Sequence, residues 1–383
     1  MTRFVEASDE LMAAAVAATG CDDFGADEFR PGFEALLYAL DEGATLNSLG
    51  KLAIRHMIVR DLSARLLAEK GFAAVNGLST RPVTAPLVII GLPRTGTTAL
   101  QELLALDPQF QGLPLWLTRT PKARPPVEQW KDDADYRACD RSIALIKEHQ
   151  PRLYEIHKME AAKVDECWNL MAQSFAHSSW LAQTPLPHYR EWFNTCDMVP
   201  VYERHRRNLQ LIGSTRSDAR WMLKDSTHLF ALEAFLAVYP DAKVIQTHRD
   251  PVQSIPSVAS LCWTARESLN DGETRESFGA STLDLWQMGV ARTMELRRKL
   301  GPQQFLDVSF PRFRADALQT IEGVYEHFGL DLSAQTRSRM QAFREANPPG
   351  GPGVHRHTPE DWGLSADAIR ERFSGYAETY DFS

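Results

Sequence analysis

The stretch from Pro86 to Asp107, PLVIIGLPRTGTTALQELLALD, decides the fold. Its Pro-flanked apolar run, PLVIIG, has the length and aliphatic content of a buried strand, and ALQELLALD carries apolar residues at helical spacing. Between them lies a turn of small residues, LPRTGTT. A strand, a tight turn and a helix in this order let successive backbone N–H groups converge in front of the positive end of the helix dipole, and such a nest binds a phosphate. Pro93 and Gly96 fix the turn around Thr95, Thr97 and Thr98 offer hydroxyl donors, and Arg94 supplies a permanent charge. The spacing is close to the G-x-x-x-x-G-K-[ST] loop of nucleoside triphosphatases, yet Thr97 stands where the lysine belongs. A kinase or triphosphatase therefore lacks its principal cation here.

Working outward, strand and helix patterns alternate downstream. WMLK (221–224), AKVIQTH (242–248) and FLDVSF (305–310) read as strands. LFALEAFLAVYP reads as a helix closed by Pro240, LQTIEGVYEHFGL as a helix ended by Gly329, and VQSIPSVASL as a loop or helix start despite Pro256. This alternation predicts an α/β fold with a P-loop-like parallel sheet flanked by helices. Residues 1–80 predict an N-terminal helical extension, from the periodicity of FEALLYAL and of LAIRHMIVRDLSARLLAEKGF with Gly71 as a stop. Residues 81–383 form the main domain, with a helical insert over about 136–215 interrupted at TPLPHY. Residues 108–135, rich in Pro and charge, predict a long surface loop with polyproline character, and NPPGGPGVHRH a flexible one.

Composition narrows the ligand classes. A formal charge of −8 argues against a general nucleic-acid binder, so an anionic ligand needs a local basic pocket. The five cysteines never fall in a C-x-x-C pair, which points away from zinc and redox couples and towards a reducing, cytoplasmic setting. The N-terminal segment lacks the basic start and long apolar centre of a signal peptide, and no run approaches the roughly 20 apolar residues of a membrane span. Nothing in the sequence fixes an oligomeric state.

Three further stretches complete a family likeness. GLPRTGTTALQELLALDP (91–108) resembles the 5′-phosphosulfate loop of sulfotransferases, especially the bacterial and tyrosylprotein branches that carry P-R-[ST]-G-T-T. AKVIQTHRDPVQSIPS (242–257) resembles the family's 3′-phosphate motif, in which a strand ends in Arg and a Ser follows eight positions later. Arg249 and Ser257 match, with Ser254 the nearer alternative. A guanidinium at a strand's C-terminal end and a hydroxyl at the next helix start can reach one phosphate, whereas a local Arg249–Asp250 ion pair is the bland reading. WMLKDSTH (221–228) resembles the L-K-[ST]-P-x-H element of bacterial members, departing at Asp225 and Thr227. GGPGVHRHTPEDWGL (350–364) resembles their C-terminal loop, which folds over the nucleotide, so His355, Arg356 and His357 become candidate lid contacts. The resemblance runs from about Pro82 to the C-terminus and leaves the N-terminal helices uncovered.

The resemblance implies sulfuryl transfer from 3′-phosphoadenosine 5′-phosphosulfate (PAPS), as co-substrate and without a metal, to a hydroxyl of a small acceptor. Arg94 then neutralises the leaving 5′-phosphate with Thr97, Thr98 and the loop amides, and Lys224 shares that role at the transferring group. The glutamate that follows the phosphate-loop helix in several branches is absent from LPLWLTR (113–119). His157, Glu160, Glu166 and His177 in the insert are the substitutes for a general base, His157 and Glu166 first. The insert's Trp168, Phe175, Trp180, Tyr189, Trp192 and Phe193 predict an apolar or aromatic acceptor, lipid or phenolic, although helical aromatics are more often core. A P-loop kinase and a non-catalytic nucleotide-binding protein of the same fold are the competing readings.

Overall fold

The structure, a computed structural model, describes residues 2–156, 158–216, 218–348, 357–380 and 382. The chain falls into two compact units, one of residues 1–83, 113–217 and 262–273, the other of 84–112, 218–261 and 274–383.

The second unit carries a five-stranded sheet: β1 (Leu87–Gly91), β2 (Phe110–Gln111), β3 (Arg220–Lys224), β4 (Lys243–His248) and β5 (Phe305–Ser309), in the spatial order β2-β3-β1-β4-β5. Every neighbouring pair is parallel, with Ile89 opposite Lys224 and Ile245, and Gln246 opposite Asp307. A parallel sheet needs both faces covered, and every residue of β1 is buried accordingly. One face packs Leu87, Ile89, Met222, Ile245 and Val308 against Leu100, Leu104, Phe313, Ile321 and Phe328 from the flanking helices. Gln246 and His248, alternating with Ile245 and Thr247, turn to the other side. The helix Ala317–Phe328 ends where predicted, at Gly329, whose φ of 60° closes it in the left-handed region.

The first unit is helical. Its longest helix, Ser48–Ala74, continues through Gly71 rather than stopping there. Packing explains the glycine: a Cβ there would lie 2.5 Å from Leu211 Cδ2. Buried Arg65 donates to the carbonyls of Phe24, Ala26 and Gln173 and to Glu28 at 2.7 Å, and Arg204 pairs with Glu69, so both of these buried guanidinium groups are matched.

One other local expectation changes, and of the two readings open for VQSIPSVASL the helix start is the one found. Residues 108–135 are not one long loop: they hold β2, the helix Leu115–Arg119 and the 3-10 segment Val127–Asp132, because Trp116 and Trp130 are buried and stack edge to face at 5.7 Å. Pro256 lies inside a helix, Pro251–Arg266, started by Pro251 and by Asp250 Oδ1, which accepts from Val252 N at 2.9 Å. The insert is helical over Ala134–His149, Pro187–Thr195 and Val199–Ile212, with shorter turns between. The run NPPGGPGVHRH falls largely outside the described residues. Among the described residues, no helix is long and apolar enough to cross a membrane, and no group of three or more His, Cys, Asp or Glu is arranged to hold a metal.

Two glycines of the second unit give opposite expectations. A Cβ at Gly279 would sit 2.2 Å from the Trp362 carbonyl oxygen, so Gly279→Ala destabilises by roughly 3 kcal/mol. Gly323 lies within the helix Ala317–Phe328 with nothing within 4 Å of its Cβ position, so Gly323→Ala stabilises by about 0.5–1 kcal/mol. Denaturant melts of both variants check this.

Candidate active site

Ligands of open parallel sheets bind beyond the C-terminal ends of the strands. At that edge of the second unit the turn after β1 is wound tightly: φ is 144° at Gly91, 69° at Arg94 and 88° at Gly96. Arg94 is a non-glycine residue in the left-handed region, a costly conformation that the surroundings must hold. They do so through Thr95, which is fully buried; its hydroxyl donates to Leu92 O at 2.6 Å and lies 2.6 Å from Thr247 Oγ1 of β4. Gly91 and Gly96 are where the close approaches fall: a Cβ at Gly91 would lie 2.4 Å from Thr247 Oγ1, and one at Gly96 2.7 Å from Phe310 Cδ2. The helix Thr97–Leu104 starts directly after this turn. Thr95 thus braces the turn with its side chain, whereas Arg94 and Thr98 are exposed and Pro93 is half-buried.

Side chains from the other strand ends converge here. Lys224, the last residue of β3 and almost wholly buried, donates from Nζ to Thr98 Oγ1 at 3.1 Å. Arg94 Nε donates to Ser257 Oγ at 3.2 Å. Arg249, just past β4, donates from Nη1 to the Arg94 carbonyl at 2.8 Å and from Nη2 to Gln253 Oε1 at 3.1 Å, with its guanidinium 4.6 Å from the Phe310 ring centroid. The bland reading of Arg249–Asp250 as a local pair is not the arrangement found, since Asp250 caps the next helix. The two serine candidates separate: Ser254 is buried and donates back to Asp250 O at 3.1 Å, while Ser257 is half-exposed and meets Arg94. Asp225, a departure from the motif, caps a 3-10 turn by accepting from Thr227 N at 2.7 Å.

The electrostatics favour an anion. Burial, then the neighbouring charges of Arg94 and Arg314, lower the pKa of Arg249, with Asp250 the opposing influence. Guanidinium groups stay charged under such pressure, so a bound anion relieves their mutual repulsion. Sequence reading did not single out Thr247, Gln253 or Phe310. The signal for Phe310 is its position directly after β5; Thr247 and Gln253 show none beyond their nearness to Arg249.

Of the remaining candidates, Glu160, Glu166, His177 and the aromatics belong to the first unit, His357 belongs to the second, and the others lie outside the described residues. His157, His355 and Arg356 are outside them. His357 is described and half-buried, Glu160 exposed, and Glu166 half-buried between the Pro114–Val164 bridge and the helix Trp168–Met171. Phe175, Trp180, Tyr189 and Phe193 are core residues of the unit, with the Tyr189 hydroxyl donating to Phe175 O at 2.6 Å; Trp168 and Trp192 keep partial exposure. His177 is fully buried, its Nδ1 held by Ser179, and burial pushes its pKa down to about 3.

Sheet order and anion cradle together define a P-loop-like α/β protein whose loop carries threonine in place of the triphosphatase lysine. Residues 86–334 match the model of the Sulfotransferase family, and the chain belongs to that family. The chain is similar to the omega-hydroxy-beta-dihydromenaquinone-9 sulfotransferase Stf3 of Mycobacterium bovis, 24% identical over 262 residues, which cover 64% of this chain and 63% of that protein. The alignment thus spans less than two thirds of that relative. Among solved structures, the sulfotransferase STF1 of Mycobacterium tuberculosis H37Rv is 38% identical, with a TM-score of 0.89 over 98% of this chain and 100% of that one. The sulfotransferase STF9 of Mycobacterium avium is 25% identical, with a TM-score of 0.90 over 98% and 97%.

His205, in the same unit as His177, is also fully buried and pushed by burial to about 3 from 6.5. Folding therefore excludes a proton that each ring binds when unfolded, so this stability is complete above pH 6.5 and is lost as pH falls from there towards 3. The urea midpoint at pH 5 is expected below that at pH 7, and His177→Gln weakens the dependence. Equal midpoints contradict the burial of neutral rings.

Proposed function

We propose that this chain transfers the sulfuryl group of PAPS to a hydroxyl of a small, apolar or aromatic acceptor. The observation that carries the reading is the two hydrogen-bonded sets Lys224–Thr98 and Ser257–Arg94–Arg249, which gather residues from three distant stretches at one sheet edge. In this reading the amides of residues 94–98 hold the 5′-phosphosulfate, and Arg249 with Ser257 holds the 3′-phosphate. Arg356 is assigned as a lid contact to the nucleotide.

The reaction forms a bond between the acceptor oxygen and sulfur and breaks the bond from sulfur to the bridging oxygen of the 5′-phosphate. Negative charge grows on that bridging oxygen, and Arg94, Thr97 and Thr98 stabilise it there. Lys224, oriented by Thr98, supports the equatorial sulfuryl oxygens. The acceptor proton passes to a general base, for which we assign Glu166 or His157. His177, with its pKa near 3, is too weakly basic for that task. No metal is needed, because the cations are supplied by the chain. Partly exposed Trp168 and Trp192 suit an apolar acceptor, and the relative named for omega-hydroxy-beta-dihydromenaquinone-9 supports a lipid in particular. The setting we assign is the cytoplasm.

Thermal unfolding with 3′-phosphoadenosine 5′-phosphate (PAP), or with ATP and magnesium, tests the donor. PAP at a hundredfold excess over its Kd stabilises by about 2.7 kcal/mol, while ATP with magnesium leaves the Tm unchanged. Transfer of labelled sulfate from PAPS to a panel of hydroxylated lipids and phenols tests the activity. Arg94→Ala should lower kcat by about 100-fold or more, and transfer at the parent rate would remove Arg94 from the mechanism.

A further inference from the structure

Behind Arg249 lies a polar network that none of the roles above uses. His248, the last residue of β4, is 2% exposed, yet both ring nitrogens are engaged: Nε2 lies 2.7 Å from Asp307 Oδ1 of β5, and Nδ1 lies 2.8 Å from the Tyr376 hydroxyl. Its ring stacks on Tyr380 at 3.9 Å. Arg297 closes the arrangement from the helix Arg275–Arg297, donating to both carboxylate oxygens of Asp307 at 2.6 and 2.9 Å, to Gln246 Oε1 at 2.8 Å and to the Tyr380 hydroxyl at 2.9 Å.

The proton positions follow from the surroundings. Burial pushes the Asp307 carboxyl up, but the hydrogen bonds from His248 and Arg297 outweigh it and hold the group well below the usual carboxylate range. Burial raises the Tyr376 phenol and, against the pull of Asp307, lowers the His248 imidazole. The ring is therefore neutral, donating from Nε2 to the Asp307 carboxylate and accepting at Nδ1 from the Tyr376 O–H.

This network joins the ends of two strands at the cradle. Asp307 stands two register steps before the His248–Ser309 pair, and Phe310, the residue after Ser309, supplies the ring over which Arg249 lies. The His248–Asp307 bond thus fixes the end of β4 against the end of β5 on one face, while Arg249 stacks on Phe310 on the other and donates to Arg94 O. A slip of either strand end would separate Arg249 from Phe310 and from the turn carrying Arg94.

We infer that the Tyr376–His248–Asp307–Arg297 network is a positioning device for Arg249, which sets how strongly the site discriminates a nucleotide with a 3′-phosphate from one without. The inference rests on the assignment of Arg249 to the 3′-phosphate. His248, Asp307 and Tyr376 are positioning residues and touch no ligand in this arrangement.

The experiment compares binding of PAP with binding of adenosine 5′-phosphate by calorimetry. The variants are Arg249→Ala, His248→Phe, the double variant and Tyr376→Phe. His248→Phe keeps the ring stack on Tyr380 and removes both hydrogen bonds. It is expected to raise the Kd for PAP about tenfold, leave that for adenosine 5′-phosphate within about twofold, and add nothing in the Arg249→Ala background. Tyr376→Phe removes one oxygen and is expected to raise the PAP Kd by about threefold with the same selectivity, so it carries the test if His248→Phe does not fold. If Arg249→Ala weakens both nucleotides equally, the 3′-phosphate assignment itself fails. If Arg249→Ala is selective for PAP but the folded His248 and Tyr376 variants bind both nucleotides as the parent does, or lose both in parallel, the positioning role is overturned.

Discussion

Two buried hydroxyls, Thr95 and Thr247, 2.6 Å apart, fasten the turn after β1 to β4. The arrangement at the sheet edge depends on that fastening. It holds Arg94 in a left-handed conformation that a Cβ-bearing residue adopts at a cost. It also ties the turn to the strand that ends in Arg249. The link from Arg249 to the Arg94 carbonyl then joins the two arginines through the backbone rather than through a flexible side-chain contact.

A chain with a net charge of −8 binds an anion only by concentrating cations, and the fold does this by strand order. Because β1 lies between β3 and β4, Lys224, Arg94 and Arg249 emerge side by side although more than a hundred residues separate the first strand from the other two. Such crowding would be destabilising without a ligand to offset it, and the acids nearby are otherwise engaged. Asp225 and Asp250 cap the turns that follow their strands. An anion spanning the cluster is therefore bound by a field already in place.

How far the sequence foretold this depends on the range of each interaction. The turn at 91–98 was legible because its chemistry is local: strand, small residues and helix follow one another within about 20 positions. Lys224, Arg249 and the strands that carry them were legible for the same reason. Gly71 misled because a glycine that ends a helix and one that admits Leu211 look alike in a sequence. Pro256 was ambiguous because helix starts set by Asp250 and Pro251 outweigh one missing N–H. The buried network of His248, Asp307, Arg297 and Tyr376 left no sequence signal, since its members meet only through tertiary packing across the end of the sheet. The aromatic insert was half legible: periodicity showed buried rings, but four of the six proved to be core.

The most direct measurement is a crystal structure of the chain with 3′-phosphoadenosine 5′-phosphate bound. The account predicts the 5′-phosphate against the amides of residues 94–98 with Lys224 alongside, and the 3′-phosphate between Arg249 and Ser257. A nucleotide lying elsewhere, with Arg249 still turned onto Gln253 and no phosphate in the turn after β1, would contradict it.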